Sequence, residues 1–232
     1  MGRLNEANIA HAVRDGVSDV LRTNPTTQSL GDDAFRFFEE ALAQVEERIP
    51  PTRPRACETG CAYCCHLKVA VTPLEALRVV SALRKSLDGA ALAALAAKIR
   101  DADARTHGLT TDARVLAKEP CPLLGEDKRC IAYEARPVAC AGANSFDREQ
   151  CRAGFESTRG DVDIEYYGLQ PRTAAAARAG AAAALFERGL DGRILELVAA
   201  LRVALDDPKA EERWRRGEPV FEPAVDRELE GS

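Results

Sequence analysis

Tryptophan and methionine occur once each in this 232-residue sequence, histidine three times, and aromatic residues make up only 5% of it. Of the 46% counted as hydrophobic, 41 residues are alanine, so larger apolar side chains amount to roughly 28% of the chain, enough for one thin core but not several. A long apolar run is also missing. The best stretch, Ala174 to Phe186, is mostly alanine and is broken by Arg178, short of the roughly 20 apolar residues a bilayer helix requires. Polar residues interrupt Met1 to His11 every few positions, so no apolar leader core is read there and a cytoplasmic location is expected. No βαβ alternation, no Gly-rich loop following a strand and no internal repeat is visible, which removes the usual nucleotide-cradling signatures. The formal net charge is −5, and the one compact basic stretch, Arg213-Trp214-Arg215-Arg216, is flanked by Glu211, Glu212 and Glu218. That pattern reads as a solvated helix end and predicts no nucleic-acid partner.

What is present is helical periodicity. Ile9, Val13, Val17 and Val20, then Phe35, Phe38, Leu42, Val45 and Ile49, recur at spacings of three and four, which predicts two amphipathic helices. Thr72-Pro73-Leu74-Glu75 combines an N-cap, a first-turn proline and a capping-box glutamate. Leu74, Leu77, Val80, Leu83 and Leu87 form the stripe behind it, and further helices are expected over about 90–106, over 111–118, along the Ala-rich segment from Pro171 to Gly189, and at Ile194, Leu197, Val198, Leu201 and Leu205. The alanines are read as a surface that lets helix axes approach closely. From Trp214 onward the charged, Pro-containing tail reads as an extended arm. The expected fold is all-α: a single domain over residues 1–232, with flanking helices in 1–56 and 152–232 around a loop-rich, cysteine-ligated metal-binding core.

That core is where all eight cysteines fall. Cys57, Cys61, Cys64 and Cys65 lie within nine residues, and Cys121, Cys130, Cys140 and Cys151 follow after a gap. In a reducing cytoplasm such density points to metal rather than disulfides. All eight are candidate ligands. Adjacent side chains diverge, so Cys64 and Cys65 suggest two neighbouring sites or one polynuclear cluster. Four-thiolate centres carry net negative charge, and Arg55, Lys68, Arg129 and Arg136 are candidates to offset it. His66 beside Cys65 is read as an extra ligand, a supporting donor or a surface residue rather than a catalytic base. Tyr166 and Tyr167 could line a groove, with packing beneath a loop as the default.

Cys-x3-Cys-x2-Cys-Cys, then Cys121-Pro-x-Leu, then Cys130-x-x-Tyr133-x-x-Arg136-Pro137-x-x-Cys140 and a further Cys151 resembles the YkgJ-like cysteine-cluster family, described as zinc- or iron-chelating. It resembles more distantly the cluster region of flagellin lysine N-methylases. Ala141 departs from the pattern, since many relatives carry Arg there. The resemblance implies metal binding over about residues 57–151. Three closely spaced cysteines completed by a distant fourth are an iron–sulfur arrangement, of the 4Fe-4S kind, whereas zinc sites usually present two hooks. Iron–sulfur is therefore favoured, with zinc the alternative. Two classes of function follow: a redox or modifying enzyme using the cluster, and a non-catalytic zinc or iron module stabilised by its metal. A radical S-adenosylmethionine enzyme would bring a β/α barrel that these helical patterns do not support. Oligomeric state and protein partners leave no mark in the sequence.

Overall fold

The computed structural model describes residues 5–159 and 162–230; Met1–Leu4, part of the segment read for a leader, lie outside it. Eleven α-helices form among those residues: α1 Glu6–Leu21, α2 Thr27–Arg48, α3 Pro73–Ser86, α4 Gly89–Thr106, α5 Thr111–Ala117, α6 Val138–Gly142, α7 Arg148–Glu156, α8 Leu169–Glu187, α9 Leu197–Asp206, α10 Ala210–Arg215 and α11 Arg227–Glu230. The all-α expectation holds. One two-stranded antiparallel ladder accompanies them, β1 Ala70–Val71 with β2 Leu195–Glu196, pairing Ala70 with Glu196 and Val71 with Leu195.

Local chemistry sets most helix starts. Asn5, Thr26, Asp88 and Thr110 each accept a backbone N–H with the side chain at an N-terminus, satisfying donors that the first turn leaves unpaired. Thr72 and Glu75 form the reciprocal capping box, with Pro73 opening α3. The buried faces follow the predicted stripes: Ile9, Val13 and Val17 on α1, Leu30 and Phe38 on α2, Leu74, Leu77, Val80 and Leu83 on α3. Ile49 departs from its stripe; it ends α2 and is 53% exposed.

Helix α8 packs against α1, α2 and α6, and its alanines do what the sequence suggested. A Cβ placed on Gly180 would lie 2.2 Å from the Ala10 carbonyl oxygen, and one on Gly142 would lie 2.7 Å from the Ala174 Cβ. Close backbone approach thus replaces bulky side chains as a source of dispersion contacts.

The C-terminal part corrects two expectations. Ile194 to Glu196 precede α9 rather than belonging to it, because Leu195 and Glu196 pair with β1. The tail is not an extended arm. Trp214 is fully buried and donates its indole N–H to the Asp191 carbonyl at 2.8 Å, with Ala210 and Phe221 also buried. Its charges face outward, Arg213 pairing with Asp207 and Glu218, and Arg216 with Glu212 and Glu218. Further on, Lys68 Nζ reaches Asp226 at 2.7 Å and Glu228 at 2.8 Å, while Glu228 also accepts the Thr111 N–H at 2.9 Å. Lys68 and then Thr111 hold the Glu228 carboxyl down to about 2. A carboxylate whose folded pKa is depressed contributes above its ordinary value and loses that contribution as pH falls. Hydrogen exchange should therefore show Thr111 losing amide protection between about pH 4.5 and 2, and Glu228→Gln should show the loss already at neutral pH. Unchanged Thr111 protection in that variant would remove the tail contact from the account.

Candidate metal centre

The cysteine-rich segment is held by turns and by its neighbours rather than by long elements. After Pro54, the Ala56 N–H donates to the Ser145 carbonyl at 2.9 Å, tying the first cysteine stretch to the second. Gly60 turns the chain at φ +87, a conformation glycine adopts without Cβ conflict. A 3-10 turn over Tyr63–His66 then carries Cys64 and Cys65. The Cys121 N–H donates to the Cys65 carbonyl at 2.7 Å, joining the two halves directly. Between Cys121 and Cys130 the chain folds back on itself, Gly125 N–H to the Arg129 carbonyl at 2.8 Å, with Lys128 at φ +62 and an antiparallel bridge between Leu124 and Cys130. Cys140 sits on α6, whose first amide, Val138 N–H, donates to Glu75 at 2.9 Å. The residue that completes the α3 cap therefore also anchors α6. Cys151 lies on α7, capped by Asp147.

Grouping in space differs from grouping in sequence. Cys57 and Cys61 feel the charges of each other's region, with Cys64 and Cys151 as their thiol neighbours. Cys140 has Cys121, Cys64 and Cys130 around it, and Cys121 has Cys130. The neighbouring Cys65 thiol raises the Cys64 pKa strongly, with burial adding to it. Cys151 thus crosses to the first group, and the Cys64–Cys65 pair stands between both. Among the described residues no three side chains converge closely enough to grip an ion.

The donor set nonetheless fits a thiophilic metal. All eight cysteines are free, and thiolate sulfur suits zinc, copper(I) and iron–sulfur clusters. Three thiols have the backbone amide two residues further on acting to lower their pKa: Tyr63 for Cys61, Leu123 for Cys121 and Ala132 for Cys130. Such amides favour the thiolate form. Burial works the other way, pushing the Cys121 thiol up to about 12 and Cys140 well above its ordinary value. A bound cation reverses that balance, because coordinated thiols are deprotonated.

Of the cations proposed to offset thiolate charge, Arg136 lies near Cys64 and Cys130, and Arg55 near Cys57. Lys68 serves the tail and Arg129 pairs loosely with Asp127. Two further charged residues were not legible. Arg114 on α5 is 2% exposed, its Nε has no partner among the described residues, and it stands near Cys121 and Glu196. Burial lifts the Glu196 carboxyl to about 7 against the opposing pull of the Ala199 amide and Arg114. Nothing in the spacing of 111–118 marks Arg114 as inward-facing, since helical periodicity assigns it to neither stripe.

His66 has its Nδ1 3.2 Å from the Ala62 carbonyl and its ring 4.6 Å from Phe155. Tyr63 also packs on Phe155, seating α7 on the turn that carries Cys64 and Cys65. Tyr167 is buried and donates its hydroxyl to the Ile49 carbonyl, the packing role expected of it, while Tyr166 is exposed.

Residues 56–153 match the family model CxxCxxCC, described as a "Putative zinc- or iron-chelating domain". The match spans 98 of the 232 residues. The matched segment contains every cysteine of the chain and stops short of α8, so α1, α2 and α8 to α11 lie outside it. Metal chelation by cysteines is what the domain supplies. No curated protein and no solved structure matches the chain. No helix among the described residues is long and apolar enough to cross a membrane.

Proposed function

We propose that the chelating domain holds iron–sulfur in two neighbouring cysteine-ligated centres and serves redox or cluster-dependent modification chemistry. One centre draws on Cys57, Cys61 and Cys151, the other on Cys121, Cys130 and Cys140, and Cys64 and Cys65 supply the remaining ligand of each. The observation that supports this reading is the position of Cys151, which comes from a separate helix and whose charge bears on Cys57 and Cys61. Three near and one distant is a common iron–sulfur ligand arrangement. Cys57 is exposed, which leaves an edge of the first centre open to a partner. An iron–sulfur cluster supplies one-electron transfer at a potential set by charge, hydrogen bonds to sulfur and solvent exposure. Here Arg136, Arg55 and the amides of Tyr63, Leu123 and Ala132 would set those conditions. A reducing, cytoplasmic setting goes with ligands that must remain thiolates.

Zinc is the second reading, favoured by a different observation. Eight sulfurs divide into four and four with no oxygen or nitrogen ligand needed, which is the composition of closed structural zinc sites. In that case the protein is a non-catalytic module. Anaerobic purification followed by metal and acid-labile sulfide analysis decides between them. Iron with matching sulfide, about four of each per cluster, together with visible absorption and a paramagnetic signal on reduction, is the expected result. Stoichiometric zinc without sulfide would reject the iron–sulfur assignment.

A further inference from the structure

Among the described residues, Arg114 is the largest fully buried side chain after Trp214. Its Nη1 donates to the Glu119 carbonyl, while its buried Nε has no partner. The two acids whose charge it feels are engaged elsewhere: Glu119 pairs with Arg105 at 2.9 Å, and Glu196 accepts the Ala199 N–H at 2.9 Å. A guanidinium stays charged in proteins, and burying it without a counter-ion is costly. The third group whose charge bears on it is Cys121. Backbone geometry accounts for that proximity, because the Glu119 carbonyl that holds the guanidinium lies two residues before Cys121, a span of at most about 7 Å. The helix that carries Arg114 is itself fixed: Thr110 caps α5, and the Thr111 N–H donates to Glu228, which Lys68 also holds.

We propose that Arg114 is the internal counter-charge of the centre built on Cys121, Cys130 and Cys140, a positioning residue that raises its metal affinity without ligating. The inference rests on the two-centre reading above. A protonated thiol gives a buried cation nothing to neutralise, whereas four thiolates around a 2+ ion or cluster sum to about −2. Attraction between that charge and a fixed cation is far stronger in a water-poor interior than at the surface. Arg136, the cation near Cys130, is half-buried and stacks at 4.1 Å on exposed Tyr133, so solvent screens it more. The first centre has no equivalent, since Arg55 near Cys57 already pairs with Glu46. The effect of Arg114 therefore belongs to one centre, and it holds for zinc and for iron–sulfur alike.

Zinc competition on the full chain tests it, because four thiolates carry the same net charge around Zn²⁺ as around a 2+ cluster. Wild type, Arg114→Gln and Arg114→Lys are loaded anaerobically with zinc, and a chromophoric chelator is titrated in while released zinc is counted. Glutamine can still donate to the Glu119 carbonyl but has no charge, whereas lysine keeps the charge. Arg114→Gln should bind one of its two zinc equivalents about 10- to 100-fold more weakly, the range for residues that support metal ligands. The other equivalent should stay put, and Arg114→Lys should remain within about threefold of wild type at both. Unchanged affinity in Arg114→Gln, equal weakening in the two variants, or loosening of both equivalents would overturn the role of Arg114. Should Arg114→Gln fail to fold, Arg114→Lys decides: near-wild-type affinity supports the counter-charge, and a loss of about tenfold or more overturns it. A wild type that binds fewer than two zinc ions rejects the two-centre reading, and this inference with it; a fully loaded wild type matched by Arg114→Gln rejects the inference alone.

Discussion

Stripping the metal from the loaded protein should melt residues 57–66 and 121–151 while α1, α2, α8 and α9 remain helical. The two segments contain short turns, one five-residue helix and one nine-residue helix, and few large buried apolar side chains beyond Leu123 and Val138. Structural metal binding in small cysteine-rich units is worth on the order of 10 kcal/mol of folding free energy, far more than those contacts supply. The outer helices draw on a separate core that includes Phe38, Leu185, Leu201 and Trp214. Hydrogen exchange with and without chelator reads the difference, and far-ultraviolet dichroism should lose only a minor part of its helical signal. Unchanged protection at Cys121 to Cys151 after complete metal removal would refute the expectation.

Gly180→Ala should destabilise the protein by about 3 kcal/mol, the upper part of the range for overpacked interiors, although helix propensity alone favours alanine by up to roughly 1 kcal/mol. The two effects have opposite signs, which makes the variant decisive. An added methyl would meet the Ala10 carbonyl oxygen at 2.2 Å, and that obstacle is backbone, so relief requires α1 and α8 to separate. Gly89→Ala is the control, since nothing lies within 4 Å of a Cβ there. Urea denaturation should show the first variant losing stability and the second losing none. A stable Gly180→Ala would mean that α1 seats less tightly on α8 than the geometry requires.

Features that depend on neighbouring residues were legible in the sequence. The Thr72–Glu75 box could be read because cap and partner lie three residues apart, and the alanines of α8 because composition bears directly on how near two axes can come. The neighbourhood of Cys151 was not legible, because it is a relation in space: Phe155 packs against Tyr63 and His66 and so seats α7 beside the first cysteine stretch. The tail was misread because Ala210 and Trp214, four apart and both buried, are embedded among seven charged residues from Lys209 to Glu218. Buried Arg114 and Arg178 escaped for the same physical reason. Charge predicts exposure, and only the surrounding helices reveal where it fails.

The seating of α1 on α8 also fixes an order of events during synthesis. Ala10 meets Gly180, so the first helix cannot find its partner until some 170 further residues have left the ribosome, roughly 10 to 30 seconds at ordinary translation rates. During that interval Ile9, Val13 and Val17 have only α2 to cover them, and the whole cysteine-rich stretch emerges before the helix that closes the bundle. Metal capture, which needs nothing beyond Cys151 on the proposed ligand sets, can therefore precede closure, leaving α8 to lock a segment that is already ordered.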